Sequence, residues 1–170
     1  KYQQLKKWEI PEDTYNYIFS KNLYPLIQKI VDELNYEPKF VGCFIGHTLK
    51  YVGGHYSRSK NFNYNHIFNL FKYLKENNIR PEIAERMLPF VYKNPNRPME
   101  EILQKVGYKQ VTFNELKSQI PELKKQFEAL RVNHNTEKYP TINWIMGELH
   151  YQALGNASLQ ELRKEIEKQV

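Results

Sequence analysis

Six apolar residues constrain this chain most. Leu23, Leu26, Ile27, Ile30, Val31 and Leu34 recur at i, i+3, i+4, i+7, i+8 and i+11, which is one continuous stripe on one α-helix. No other period competes with it. Ser20 or Asn22 is placed to cap the start, Pro25 fits only near the first turn, and residues 35–38 end the helix. A second helix is expected from Pro38, presenting Phe40, Val41, Phe44, Ile45, Leu49 and Val52. Gly42 and Gly46, four apart, leave a smooth side open to close approach, and Gly53-Gly54 reads as the stop. Residues 53–63 then read as a polar loop.

Asn63 is expected to cap a third helix carrying Ile67, Phe68, Leu70, Phe71 and Leu74. Pro81 opens a fourth with Ile83, Ala84, Met87, Leu88 and Val91, in which Pro89 should kink or shorten the helix. A short helix at 99–106 stops at Gly107. Thr112 and Glu115 form a capping box for a helix that Pro121 should interrupt. Residues 133–139 read as a loop and Pro140 as the start of a helix carrying Ile142, Ile145, Met146, Leu149 and Ala153. Ser158 and Glu161 are a second capping box, ahead of Leu159, Leu162 and Ile166. No segment alternates as a strand would. The expected fold is all-α with about eight helices.

The 170 residues allow one domain or two small ones. No apolar run approaches the ~18 residues of a membrane-spanning helix. The single cysteine, Cys43, rules out an internal disulfide and reads as a buried thiol. The chain opens at Lys1 with no signal peptide or lipidation motif, and reads as a cytoplasmic piece of a longer protein.

Charge is unevenly placed. The net charge is +6, and residues 38–75 contain no Asp or Glu but hold Lys39, Lys50, Arg58, Lys60, Lys72 and Lys75. That stretch therefore accounts for the whole excess. It also carries His47, His55, His66, Tyr51, Tyr56, Phe62, Tyr64 and Tyr73. Cations can neutralise phosphates and rings can stack on unpaired bases, and 53–60 reads as an exposed basic loop. Catalytic patterns are missing: there is no Gly-rich phosphate loop, no HExxH, and none of the five histidines pairs at i, i+4. The residues alone point to a basic, helical, non-catalytic chain.

The order of segments resembles the C-terminal half of the B and E subunits of tRNA-dependent amidotransferases, from about Tyr15 to Val170. The marks are Lys138, Ile145-Met146-Gly147, Gly155-Asn156-Ala157 and Leu159-Gln160-Glu161-Leu162. Upstream, Ile79-Arg80-Pro81-Glu82-Ile83-Ala84 and Pro98-Met99-Glu100-Glu101-Ile102 with Gly107 also fit. The resemblance implies a helical domain, 1–100, and a YqeY-like three-helix tail domain, 101–170. It implies a non-catalytic part that binds tRNA by shape and backbone while Glu-tRNA(Gln) is transamidated. ATP and Mg²⁺ would belong to an N-terminal cradle domain of the parent ligase, and ammonia would come from an amidase or asparaginase-like subunit. No membrane or DNA partner is expected.

Where many relatives carry basic residues around the Gly-x-Ala turn, this chain has Tyr151, Leu154 and Asn156. Asn143 stands where a Gly is usual. The candidate tRNA contacts are Lys50, Arg58 and Lys60, then Lys124, Lys125, Arg131 and Lys138 with His134, and Arg163 and Lys164 on the last helix. The competing reading is a helical docking scaffold within a larger assembly, with incidental charge.

Overall fold

The computed structural model describes residues 1–131 and 137–170. Among these every regular element is helical. The chain divides into two compact units, Lys1–Val106 and Gly107–Val170.

The first unit begins with α1 (Tyr2–Lys7), a 3₁₀ turn at Glu12–Thr14 and α2 (Tyr15–Ser20). The apolar stripe forms α3 (Tyr24–Leu34), with Pro25 in its first turn and Asn35 left-handed at its end, φ 56°. Asn tolerates that conformation better than most residues, which is why the helix stops there. Next comes one unbroken helical rod: α4 (Pro38–Cys43), a π-helical stretch (Phe44–Leu49) and α5 (Lys50–His55). Then follow α6 (Asn65–Glu76), a 3₁₀ turn (Pro81–Ile83), α7 (Ala84–Lys93) and α8 (Met99–Lys105).

Phe71 of α6 is fully buried at the centre. Phe44 meets it edge-on at 4.9 Å and Tyr36 at 5.4 Å, and the Tyr36 hydroxyl donates to the Phe71 carbonyl at 2.8 Å. Such aromatic packing combines large buried area with a satisfied polar tip.

Gly42 and Gly46 do what their spacing suggests. A Cβ on Gly42 would collide with the Ile10 side chain, and one on Gly46 with Thr14. Both neighbours are buried, so neither can swing away. Thr14 is itself fixed by donating its hydroxyl to the Pro11 carbonyl at 2.6 Å.

The second unit is a three-helix bundle of α9 (Phe113–Leu130), α10 (Lys138–Ala153) and α11 (Leu159–Gln169). Leu116, Ile120, Ile142, Ile145, Leu149, Ala153, Leu162 and Ile166 make its core. The Thr112 box forms completely: the Glu115 amide donates to Thr112 Oγ1 at 3.1 Å and the Thr112 amide to Glu115 Oε2 at 2.7 Å. At α11 the Ser158 hydroxyl accepts from the Glu161 amide at 3.3 Å.

The all-α expectation holds, and about eight helices is a fair description, since the extra segments are short N-terminal turns and divisions of the 38–55 rod. Several local expectations do not hold. Neither Ser20 nor Asn22 caps α3, whose N-cap position is Leu23 with no side-chain bond. Gly53 and Gly54 lie inside α5, which runs on to His55. Pro121 does not interrupt its helix, which runs unbroken from Phe113 to Leu130. Pro121 is exposed, so the carbonyl of Lys117 that loses its amide partner can meet water instead. The penultimate helix starts two residues before Pro140, which occupies its first turn. Cys43 is half-buried rather than buried. Most of the expected 133–139 loop lies outside the described residues.

Candidate nucleic-acid interface

The acid-free run folds into the rod 38–55, the loop after it and α6. Several of its basic side chains meet carboxylates that lie outside the run. Lys39 reaches Glu9 at 3.6 Å, Lys72 reaches Glu76 at 4.0 Å, and His47 Nε2 lies 2.9 Å from Asp13 Oδ2. Lys75 lies over the Tyr36 ring at 4.7 Å.

Lys50 and Arg58 behave differently. Together with Lys21, Tyr17, Leu49, Gly53, Tyr64 and Tyr92 they line a cleft of about 220 Å³. Local anchors build this cleft. The Ser59 amide donates to the Tyr92 carbonyl at 3.0 Å, tying the loop to α7. Phe62 is buried, with its ring centroid 4.9 Å from that of Tyr92. The loop expected to be merely polar thus has an apolar foot. Arg58 lies over the Phe62 and Tyr64 rings at 5.2 and 5.4 Å, and its Nη2 donates to the Phe62 carbonyl at 3.4 Å. Its guanidinium is held in place while the residue stays exposed. Lys60 is exposed on the same loop and is not a lining residue.

Burial, helped by the Tyr64 and Tyr92 hydroxyls, pushes the Tyr17 phenol up to about 12 against the smaller opposing pull of Arg58. At neutral pH it is a hydrogen-bond donor. Burial also raises the Cys43 thiol above its ordinary value, the reverse of what an activated nucleophile requires. Among the described residues no group of three or more His, Cys, Asp or Glu could hold a metal ion.

In the second unit the candidates separate by role. Arg131 donates through Nη2 to the Glu137 carbonyl at 2.8 Å and to Thr141 Oγ1 at 3.0 Å, and lies over Phe127 at 4.9 Å. Arg163 donates to Asn143 Oδ1 at 3.1 Å and pairs with Glu167 at 3.3 Å. These two arginines hold the bundle. Lys125, Lys138 and Lys164 are exposed and Lys124 is half-buried. His134 lies outside the described residues.

Asn156, in the Gly-x-Ala turn, is a structural hub. Its Nδ2 donates to the Lys109 and Gln152 carbonyls at 2.8 Å each, and its Oδ1 accepts from the Tyr108 hydroxyl at 3.2 Å. Gly155 beside it has φ 83°, a conformation glycine adopts without strain.

The family model described as the GatB domain matches residues 25–170. The chain belongs to the GatB domain family. The match takes in most of the helical unit and all of the three-helix bundle, consistent with the YqeY-like region of these amidotransferase subunits. No curated protein and no solved structure matches the chain significantly. Among the described residues no helix of this GatB-domain chain is long and apolar enough to cross a membrane.

Sequence reasoning missed Tyr17, Lys21 and Tyr92 as parts of the basic cleft. They lie outside the acid-free run and reach it only by tertiary packing. Tyr64 was visible in the run as an aromatic among cations.

Proposed function

We propose that this chain is the tRNA-binding, non-catalytic part of a glutamyl-tRNA(Gln) amidotransferase subunit. Membership of the GatB domain family supports an amidotransferase role. The observation that carries the RNA reading is the grouping of Lys21, Lys50 and Arg58 with three tyrosines in one cleft. Recognition would be of backbone and shape, so affinity would fall steeply with salt. In this reading bond-making chemistry, with ATP and Mg²⁺, belongs to the parent's cradle domain, and an amidase or asparaginase-like subunit supplies ammonia.

Mobility shifts of the whole chain with folded tRNA and with duplex DNA of equal charge, each at two salt concentrations, test this. Tighter binding of tRNA supports it. Equal weak binding of both would reduce the charge to a non-specific effect. No binding of either would favour a docking scaffold, a reading that the net charge of only +1 over residues 101–170 makes specific.

A further inference from the structure

The cleft in the first unit has a lining that bulk basicity does not explain. No acidic residue lines it, and among the described residues no carboxylate forms an ion pair with Lys21, Lys50 or Arg58. Other cations nearby do find carboxylates, as Lys39 and Lys72 show. Three unpaired cations around a concavity focus a positive potential that a bound anion relieves.

The donors also differ in origin. Lys21 follows α2, Lys50 opens α5, Arg58 comes from the loop, and Tyr17 adds a hydroxyl that burial keeps protonated. A planar carboxylate is served by one forked partner, whereas a tetrahedral phosphate presents oxygens in several directions. Arg58 uses one of its five N–H groups on the Phe62 carbonyl, leaving others for a ligand. Half-buried Tyr64 brings ring surface, buried Tyr92 brings its hydroxyl end near Gly53, and exposed Gly53 adds no side chain to the wall. At about 220 Å³ the cleft is smaller than the roughly 300–1,000 Å³ of sites that enclose a drug-sized ligand. It suits one unit of a longer polymer.

The geometry points to a seat for one unpaired nucleotide of an RNA strand, its phosphate on Lys21, Lys50 and Arg58 and its sugar or base against Tyr64, beside the Tyr92 hydroxyl. This rests on the tRNA reading above and names a contact within it.

Uridine 5′-monophosphate titrated into the whole chain, with ¹³C-labelled tyrosines followed by NMR, is the direct test. The Tyr17, Tyr64 and Tyr92 signals should shift saturably. Uridine without phosphate should bind at least about tenfold more weakly, the contribution of one charge-assisted contact. The double variant Lys50→Glu/Arg58→Glu should abolish the shifts, and Lys7→Glu, an exposed reversal away from the cleft, should preserve them. Silent tyrosine signals overturn the proposal. So does uridine matching the nucleotide, inorganic phosphate alone matching it, or an aspartate-rich peptide binding more tightly. tRNA affinity measured on the same proteins separates the two readings. If the double variant loses the nucleotide yet keeps wild-type tRNA affinity, the seat is not an RNA contact and the tRNA reading stands. If the nucleotide seats as expected but wild type prefers tRNA no more than duplex DNA, the tRNA reading falls and the seat remains.

Discussion

Asn156 Oδ1 accepts the backbone amide of Val111 at 3.1 Å, 45 residues away in sequence. The bond closes the approach to α9 onto the turn between α10 and α11. With the bonds to the Lys109 and Gln152 carbonyls, the same side chain satisfies three backbone groups, and it also accepts from the Tyr108 hydroxyl. Asn156→Ala should therefore destabilise the second unit by about 1–3 kcal/mol. Asn156→Asp keeps the acceptor but turns a carboxylate oxygen on the Lys109 and Gln152 carbonyls, and should cost at least as much. Urea unfolding followed through Trp144, with Trp8→Phe to silence the first unit, measures both.

The two glycines of the rod should respond unlike a third. Gly42→Ala and Gly46→Ala place a methyl into Ile10 and Thr14, and overpacking of this kind costs about 1–3 kcal/mol. Gly54 is helical, and a Cβ there meets nothing within 4 Å. Gly54→Ala should stabilise by about 0.5–1 kcal/mol. Thermal unfolding of the three variants checks the sign change.

Tyr15 is buried and its hydroxyl has no hydrogen-bond partner among the described residues. Removing an unsatisfied buried group relieves its desolvation cost. Tyr15→Phe should raise the stability of the first unit by about 1 kcal/mol, read by chemical denaturation through Trp8. A loss of stability would show that the hydroxyl is satisfied.

Two phenols should titrate late. Burial pushes Tyr17 and Tyr36 up to about 12 from 10.0. With the folded value raised, their contribution to stability is complete below pH 10 and is lost as pH rises towards 12. Burial also raises Tyr15 and Tyr108, so absorbance titration should show a late group of tyrosinates with Tyr17 and Tyr36 among them, and alkaline unfolding should set in within that window. Tyr17→Phe should remove one late titration.

Basic residues of the second unit should divide by tether. Arg131→Gln and Arg163→Gln should lower stability, because each side chain bridges parts of the bundle. Lys125→Glu and Lys164→Glu, both exposed, should leave stability within about 0.5 kcal/mol. If this face meets tRNA phosphates, each neutralised contact should reduce the salt slope by about 1.

Much of the fold was legible because the signals were local. The stripe on α3, the Thr112 box and the Gly42/Gly46 spacing each predict an arrangement from neighbours in sequence. Pro121 misled because a proline's cost depends on whether the orphaned carbonyl reaches water, which sequence does not display. Gly53-Gly54 misled because glycine stops a helix only where the backbone turns left-handed, and here it does not. The charge run was equally plain, but its division was not. Asp13 and Glu9 lie far back in the chain and take up His47 and Lys39, while Tyr17, Lys21 and Tyr92 join Lys50 and Arg58 by packing alone.

The close fit of Ile10 on Gly42 and Thr14 on Gly46 has a further effect. Further along the same two stretches, Tyr17 and Lys21 on one side and Leu49 and Gly53 on the other line the cleft. The glycine contacts and the cleft thus lie between the same two stretches of chain, 10–21 and the rod. A methyl group added at Gly46 would lie outside the cleft, yet it would press on Thr14, three residues before Tyr17 of the cleft wall.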